Sequence, residues 1–459
     1  MEDFNQGVAS RLPLAESVLR LFSYVTDESF LSGVFNEFRG RSYEDILSFR
    51  SIVQLICDAL LEYDGSGHRA MKQAQADHEL EVSIQGCYGK LRRIPRSLSE
   101  GFLLEGTQRL IGIMPSMRSQ VPLSLRRFAV RVIDGKKLKH AAKRLGPTRK
   151  FPGSVLGGKV LVALDLRTGL ALAMSSHEDG ETNDCPLVPP LMTQLRKLPT
   201  RQPLLIVCDR QFCDLKTPAV LAEDGNHFLI RYHPKVTFTR DSEHEPTQGK
   251  DANGRHYTDE RGWLGKENDK RRRYVRRITL TRPGEESLIV VTDLLDEQTY
   301  PADELLELYR MRWGIERVFQ RITEVFHLHQ LISSTPKGTI FQCAFCLLLY
   351  NLIEVECAYV AKAQRLEPEQ ISLENLFYSI HRQLIGWTEM LSTKWTVNHF
   401  QHPLKPESLI QCLHELLDCL WKDEWLKSKK KSYKPKTKDP PTAGGHTSIY
   451  RLIRRQMAA

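Results

Sequence analysis

Three runs of sequence decide the fold: RRFAVRVIDG (126–135), GKVLVALDL (158–166) and GLALAMSSH (169–177). Each run is rich in apolar residues, the first two contain β-branched Val or Ile, and Thr168-Gly169 offers a hairpin turn between the last two. A predicted helix follows, then the apolar run PLLIVCDR (203–210), a short helix and the strand HFLIRYH (227–233). Three strands followed by alternating helices and strands predict a mixed α/β sheet whose parallel part is buried.

Helical patterns flank this α/β region and divide the chain into expected domains. Residues 1–115 show the i, i+3, i+4 apolar spacing of a helical N-terminal domain. Residues 122–340 hold the sheet, with a polar, turn-rich stretch and two β-runs predicting a β-rich insertion at about 235–295. Helices are again expected over 341–426, and the lysine-rich, Pro- and Gly-containing residues 427–459 predict a solvated basic tail.

Composition narrows the class of protein. The chain has 459 residues, 65 Lys and Arg against 56 Asp and Glu, and a net charge of +9. This length excludes a peptide hormone or a small disulfide scaffold. The positive net charge favours a polyanionic partner, although basic enzymes with small anionic substrates share it.

Cysteines embedded in apolar runs and a start without a signal-peptide pattern predict a cytoplasmic protein. The apolar stretch around 341–353 is shorter than the ~20 residues of a membrane span, so no membrane association is expected.

Two aspartates follow predicted strands. Asp134 comes at the end of FAVRVIDG and Asp209 directly after LLIVC. Sites in α/β proteins form where strands end, so the pair favours a shared site at one sheet edge. Each aspartate could instead simply begin a turn, because Asp-Gly and Asp-Arg are ordinary turn sequences.

A long predicted helix beginning after Pro301 carries a third carboxylate. At about 100° per residue, Tyr309, Arg312 and Glu316 share one narrow face with Gln320 and Thr323. The opposite face is apolar and contains Leu308, Met311, Ile315, Val318, Phe319, Ile322, Val325 and Phe326.

If the apolar face packs on the sheet, Tyr309, Arg312 and Glu316 are expected along an exposed edge beside the two aspartates. Trp313 falls on the polar side, which favours contact with a partner or a second domain. An ordinary amphipathic helix with a solvated polar face would show the same pattern.

Three converging carboxylates repel one another and need cations to share a small site. Hard oxygen ligands suit Mg²⁺ or Mn²⁺. Two such ions can activate a water or a 3′-hydroxyl and stabilise the leaving oxygen of a phosphodiester. The sequence contains neither a GxxxxGK[ST] loop nor a GxSxG elbow as a rival reactive centre.

These motifs resemble those of the DDE transposases of the bacterial insertion sequence 4 type. The resemblance rests on VIDGKK (132–137), VCDRQF (207–212) and LYRMRWGIERVF (308–319), and covers roughly residues 80–350. The family's helix signature is Tyr-x2-Arg-x3-Glu-x6-Lys. The resemblance implies an RNase H-like catalytic core, interrupted by a β-rich insertion between the second aspartate and the glutamate.

The resemblance also implies roles for individual residues. The residues expected to be catalytic and to hold two Mg²⁺ or Mn²⁺ ions are Asp134, Asp209 and Glu316. Those expected to contact DNA are Tyr309, Arg312, Trp313 and Arg210, with further contacts from the N-terminal domain. Thr323 stands where the signature has lysine, so Thr323→Lys is expected to raise the rate of end cleavage or tighten binding to precut ends. Alternatively, Gln320 or a lysine from another segment already fills the phosphate site, and the substitution is then neutral or crowds it. Arg321, the nearest base, is expected to point away from the site.

The function implied is cut-and-paste transposition. Such an enzyme binds the terminal inverted repeats of its element as a homodimer in a synaptic complex, cleaves double-stranded DNA and joins it to a target. In a bacterium it would act in the cytoplasm, at the nucleoid. Two alternatives stay open: a catalytically inactive, transposase-derived DNA-binding protein, and an RNase H-like structure-specific nuclease.

Overall fold

The computed structural model describes residues 2–44, 47–63, 66–117, 119–139, 141–282, 284–324, 328, 332–427 and 445–458. Within these ranges the chain folds around a ten-stranded mixed sheet with helices packed against it. The predicted mixed α/β class is therefore confirmed.

The N-terminal region is helical. Its helices are α1 (Glu2–Ala9), α2 (Pro13–Thr26), α3 (Glu28–Phe38), α4 (Phe49–Leu61), α5 (Gly67–Ala76), α6 (Ile84–Arg93) and α7 (Arg96–Ile111). Side-chain caps fix several starts: Asp27 accepts from the Phe30 N–H (2.9 Å) and Ser83 from the Gly86 N–H (3.1 Å). Such caps satisfy amide donors that a helix leaves open at its first turn.

The central part alternates strands and helices much as the sequence predicts. Its elements are β1 (Ala129–Lys137), α8 (Gly146–Arg149), β2 (Ser154–Leu156), β3 (Lys159–Asp165), β4 (Ala171–His177), α9 (Val188–Leu195), β5 (Leu204–Cys208), α10 (Thr217–Leu221) and β6 (His227–Arg231). Gly169 has φ +75° in the β3–β4 turn, a conformation that glycine adopts without steric cost. The predicted hairpin is confirmed.

The sheet topology brings the two aspartates together. The core strands lie in the order β4-β3-β1-β5-β6. β3 is antiparallel to both β1 and β4, whereas β1, β5 and β6 run parallel. Ile133 is opposite Cys208 in the β1–β5 register, so Asp134 and Asp209 come next on neighbouring strands.

The predicted β-rich insertion continues the same sheet. Its strands are β7 (Phe238–Arg240), β8 (Thr247–Lys250), β9 (His256–Leu264), β10 (Arg273–Leu280) and β11 (Leu288–Thr292). β11 pairs with β6, which joins the insertion to the core edge to edge. A buried ion pair from Arg276 Nε to Asp259 Oδ1 (2.8 Å) fixes β9 to β10, and Arg276 Nη1 donates to the Tyr300 carbonyl (2.6 Å).

The remaining elements are mostly helical. They are α11 (Ala302–Met311), α12 (Trp313–Glu324), α13 (Pro336–Ala363), α14 (Leu373–Met390), α15 (Thr393–Phe400), α16 (Pro406–Leu417), β12 (His446–Ser448) and α17 (Ile449–Ala458). The sequence predicted one long helix after Pro301, and that prediction is wrong because the helix breaks at Arg312. The Arg312 N–H bonds to the Tyr309 carbonyl (3.1 Å) and the Ile315 N–H to the Arg312 carbonyl (3.2 Å). These i to i−3 bonds tighten the turn beside Gly314, a poor helix former. Val325 and Phe326 lie outside the described residues.

Helix α13 is the centre of the helical layers. Asn351 accepts from the Ala171 N–H (2.8 Å) and donates to Thr107 Oγ1 (2.9 Å), which ties β4, α7 and α13 together. The N-terminal helices therefore share one core with the sheet instead of forming a separate unit ending near residue 115. By length and composition α13 is apolar enough to span a membrane, yet its most apolar 18-residue stretch is wholly buried inside the fold. Buried core helices meet the same criteria, so this is a weak indication.

The predicted basic tail is corrected in part. Residues 428–444 lie outside the described residues, but β12 pairs in parallel with β2 and α17 packs against α8. Arg451 Nε bonds to Asp179 Oδ2 (2.8 Å), and the Ser448 N–H bonds to Glu181 Oε1 (2.8 Å). The carboxylates of Asp179 and Glu181 and the edge of β2 thus hold residues 446–458 against the fold, although their composition predicts a solvated tail.

Glu356 gives the fold a pH dependence. It is fully buried in α13, where the Ser17 hydroxyl of α2 contacts its carboxyl group, and burial raises the pKa of Glu356 from 4.5 to about 8. Between these values the folded state binds a proton that the unfolded chain has released. Stability therefore falls as pH rises from about 4.5 to 8, by at most ~1.4 kcal/mol per pH unit from this group.

We predict that Glu356→Gln flattens this slope, since glutamine is neutral throughout. Urea unfolding of wild type and variant between pH 5 and 8 measures it, with exposed Glu374→Gln as the matched control. Parallel pH profiles for wild type and Glu356→Gln would contradict the assignment.

Candidate active site

Asp134 and Asp209 meet at one edge of the sheet. Asp209 directly follows β5, and Asp134 lies within β1, which continues to Lys137. Adjacent strands are ~4.8 Å apart, so the two residues are close neighbours. The Asp134 carboxylate accepts from the Gly135 N–H (2.8 Å) and Asp209 from the Arg210 N–H (2.6 Å). Local backbone donors thus orient both carboxylates.

Gly135 is required by packing on the other face of β1. A Cβ there would lie 2.1 Å from Asp184 Oδ1. Asp184 is buried and pairs with Lys159 Nζ at 2.5 Å. The Asp-Gly sequence therefore reflects close approach within a strand, and Asp134 does not begin a turn.

Arg312 links the sheet edge to the third carboxylate. Its Nη1 lies 3.5 Å from Asp134 Oδ2 and its Nη2 lies 2.8 Å from Glu316 Oε1. The Arg312 side chain is 7% exposed and that of Glu316 is 42% exposed. A single buried guanidinium therefore holds β1 and α12 at a fixed separation.

The three carboxylates share one electrostatic environment. Burial raises the pKa of Asp134 to about 6; the Gly135 N–H and Arg312 oppose the rise, while Asp209 and Glu316 add to it. Burial lowers the pKa of Arg312, but Tyr309 and the carboxylates outweigh burial and raise it overall. Arg312 is therefore a permanent cation among groups that repel one another.

Tyr309 and Arg312 are buried, contrary to the expectation of an exposed edge. α11 packs against β10 of the sheet, and Tyr309 is only 3% exposed. Burial raises the pKa of Tyr309 well above its usual value. Within the described residues, Tyr309 Oη and Arg312 Nε have no hydrogen-bond partner. Both are polar atoms that a bound phosphate oxygen would satisfy.

Trp313 and Arg210 lie at the margins of the site. Trp313 is 61% exposed, as its place on the polar side of the helix predicts, and its ring centroid is 5.8 Å from the Arg312 guanidinium. Arg210 Nη2 lies 3.5 Å from Glu286 Oε2, a carboxylate that Arg231 also binds at 3.0 Å. Arg210 is thus tied to the insertion through Glu286.

Sequence reasoning missed Lys136. Its ammonium donates to Thr323 Oγ1 (2.8 Å) and to the Phe319 carbonyl (3.2 Å), both on α12. Lys136 lies two residues after Asp134 and so points to the same face of β1, which is the signal that could have identified it. A lysine side chain from the strand therefore reaches the position where the family signature has its own lysine.

The other polar residues of α12 point elsewhere. Arg321 Nη1 lies 3.1 Å from Glu354 Oε1 of α13. It therefore points away from Asp134, Asp209 and Glu316, as the helical wheel predicts. Gln320 is exposed and bonds to Glu324 (2.9 Å).

The donor set suits a hard divalent cation. Across the described residues no group of three His, Cys, Asp or Glu side chains is drawn together closely enough to form a ready metal site. Arg312 lies between Asp134 and Glu316. Asp134 and Glu316 contact this guanidinium and Asp209 interacts with it electrostatically, so three carboxylates surround one cation. The excess negative charge is what Mg²⁺ or Mn²⁺ would compensate. Asp134, Asp209 and Glu316 are the residues that would hold it.

Comparisons with known proteins agree with this chemistry. Residues 127–352 match the family described as the transposase DDE domain, a segment that includes all three carboxylates. The match supports a DDE transposase, the class of enzyme that the sequence motifs resemble.

Among solved structures, the chain is similar to one described as the cryo-EM structure of a piggyBac transposase synaptic complex with hairpin DNA. The two are 11% identical, with 87% of this chain and 85% of that chain covered at a TM-score of 0.42. A score this low carries no information on partners or residue roles. No curated protein matches the chain.

The contact between Lys136 and Thr323 reverses the expected effect of Thr323→Lys. The substitution removes a hydroxyl acceptor and adds a second ammonium beside the first. We predict no gain in end cleavage and a loss of ~1–3 kcal/mol in stability. Thr323→Ser, which keeps the hydroxyl, is the matched control.

Thermal unfolding and cleavage of labelled end DNA, compared across the three proteins, measure this. Faster cleavage by Thr323→Lys at unchanged stability would show that Lys136 does not occupy the position.

Proposed function

We propose that the protein is a cut-and-paste DNA transposase of the insertion sequence 4 type. It would cut double-stranded DNA at the terminal inverted repeats of its element by metal-dependent hydrolysis and join the ends to target DNA. One observation carries the proposal: Asp134, within β1, and Asp209, directly after β5, are neighbours on adjacent parallel strands, and Arg312 contacts both Asp134 and Glu316. All of these residues lie in the segment that matches the transposase DDE domain.

The sheet supports an RNase H-like core for this activity. Taken along the chain, the first three core strands are antiparallel neighbours, and the fourth and fifth run parallel to the first. The catalytic aspartates then come from the first and fourth core strands. The insertion, β7–β11, lies between Asp209 and Glu316 in sequence, as the resemblance implies.

The residues of the site would have three different roles: binding metal, binding phosphate and positioning the carboxylates. Divalent ions, when bound to the carboxylates, would activate the attacking water or 3′-hydroxyl and stabilise the leaving oxygen. The Arg312 Nε–H, which has no hydrogen-bond partner among the described residues, can donate to a phosphate oxygen. The buried Tyr309 hydroxyl can donate to another. Lys136 holds β1 against α12, which keeps Asp134 and Glu316 in register.

The partners in this proposal are transposon-end and target duplexes, bound by a homodimer in a synaptic complex. The net charge of +9 supports a polyanionic partner. Trp313, exposed beside Arg312, is suited to stack on an unpaired base. A role for the N-terminal helices in DNA binding and a place at the bacterial nucleoid belong to the same proposal.

The alternative is a transposase-derived DNA-binding protein without catalysis. Arg312 bridging Asp134 and Glu316 is the observation in its favour, because the guanidinium lies where a cation would bind. The presence of all three carboxylates favours the enzyme.

We predict that Asp134→Asn, Asp209→Asn and Glu316→Gln each lower end cleavage and strand transfer by ~10³-fold or more, because each removes a charge that the metal chemistry requires. Binding to end DNA should stay within a few fold, since other residues contact it. End cleavage and strand transfer are measured on labelled end DNA in the presence of Mg²⁺, Mn²⁺ or a chelator.

Glu324→Gln, an exposed glutamate on the same helix, is the matched control and should cleave normally. Wild-type protein that binds ends but never cleaves them would favour the inactive alternative. Cleavage without preference for the element's ends would favour a structure-specific nuclease.

A further inference from the structure

The connection between β1 and β3 is strongly basic. No Asp or Glu occurs between Asp134 and Asp165. Seven Lys and Arg residues fall within 136–150, namely Lys136, Lys137, Lys139, Lys143, Arg144, Arg149 and Lys150. A segment with one sign of charge creates a positive potential that no internal carboxylate offsets.

Most of these cations are free to meet a ligand. All except Lys136 are exposed, and none of them forms an ion pair with another described residue. Exposed arginines of the insertion behave differently: Arg240 pairs with Glu245 (3.2 Å) and Arg271 with Asp269 (3.2 Å). Exposed cations without a carboxylate partner suit an external anion.

Two other segments extend this surface. α17 packs against α8 and presents exposed Arg454 and Arg455, with no ion pair to either in the described part of the chain. On the other side, Arg144 Nη1 bonds to the Tyr88 hydroxyl of α6 (3.1 Å). The last turn of α6 carries exposed Arg92 and Arg93. We call these parts together, residues 137–139 and 141–150 with the ends of α6 and α17, the basic surface.

The basic surface adjoins the candidate active site. It begins at Lys137, three residues after Asp134 on the same strand. The preceding Lys136 is bonded to α12, the helix that carries Glu316. An extended polyanion that reaches the carboxylates from this side must cross the basic surface.

We propose that the basic surface binds the phosphate backbone of duplex DNA beside the bond that is cut, without regard to base sequence. This inference rests on the proposed function. Lysine and arginine contacts to phosphates position a duplex and carry no sequence information. C-terminal α17 would take part through Arg454 and Arg455, held in place by Arg451.

The test is a four-fold variant, Lys139→Gln, Arg149→Gln, Lys150→Gln and Arg454→Gln. It spares Lys136, and it also spares Lys143 and Arg144, which bond to Phe151 and Tyr88. Each phosphate that the protein no longer neutralises lowers the slope of log Kobs against log[salt] by about 0.9. We expect a slope smaller by about 2–4 and binding at least ~10-fold weaker, equally for end-containing and unrelated duplexes.

Lys266→Gln with Lys270→Gln is the matched control. Both lysines are exposed in the turn between β9 and β10, beside Glu267 and Asp269, and their removal should leave the slope unchanged. Thermal unfolding of both variants shows whether the fold is retained.

An unchanged slope in the folded four-fold variant would overturn the proposal. So would weaker binding confined to end-containing duplexes, or confined to single-stranded DNA or RNA. Metal-dependent cleavage by wild type, measured in parallel, tests the proposed function separately. A smaller slope on duplex DNA supports the basic surface even if wild type does not cleave.

Discussion

The buried guanidinium of Arg312 is the contact on which the site depends. It lies between α11 and α12, bonds to Glu316 on α12 and reaches Asp134 on β1. Burying a charge is costly unless partners compensate it, so the arginine and the carboxylates stabilise one another's ionised forms. The same contact sets the distance between helix and strand. Removing the arginine would leave the repulsion between the carboxylates without this compensating charge.

Around this contact the fold supplies rigidity from two sides. Parallel pairing of β1 and β5 fixes the spacing of the two aspartates, because backbone hydrogen bonds leave no freedom in register. Helix α13, buried along nearly its whole length, backs the layer of helices that includes α12. The N-terminal helices join that core through Thr107 and Asn351. A site built on such elements needs little reorganisation when substrate binds.

Local patterns predicted what depends on neighbours in sequence. Apolar runs predicted the strands, and Thr168-Gly169 predicted the hairpin. The expected proximity of Asp134 and Asp209 follows from the parallel pairing of β1 with β5, although Asp134 lies within its strand and not at its end. The break at Arg312 could not be foreseen from a helical wheel, because the wheel assumes a straight helix and the break accompanies long-range burial of Tyr309 and Arg312. Lys136 and the docking of β12 were missed for the same reason: both depend on contacts between residues far apart in the chain.

The bond from Lys136 to Thr323 bears on how such sequences diverge. The strand and the helix each offer a position for an ammonium group, and the Lys136 ammonium already lies beside Thr323. A lineage that moves the cation from helix to strand must pass through an intermediate with two crowded ammonium groups or with none. The two positions are therefore expected to change together. A signature that requires lysine seven residues after the glutamate would miss chains in which the strand supplies the cation.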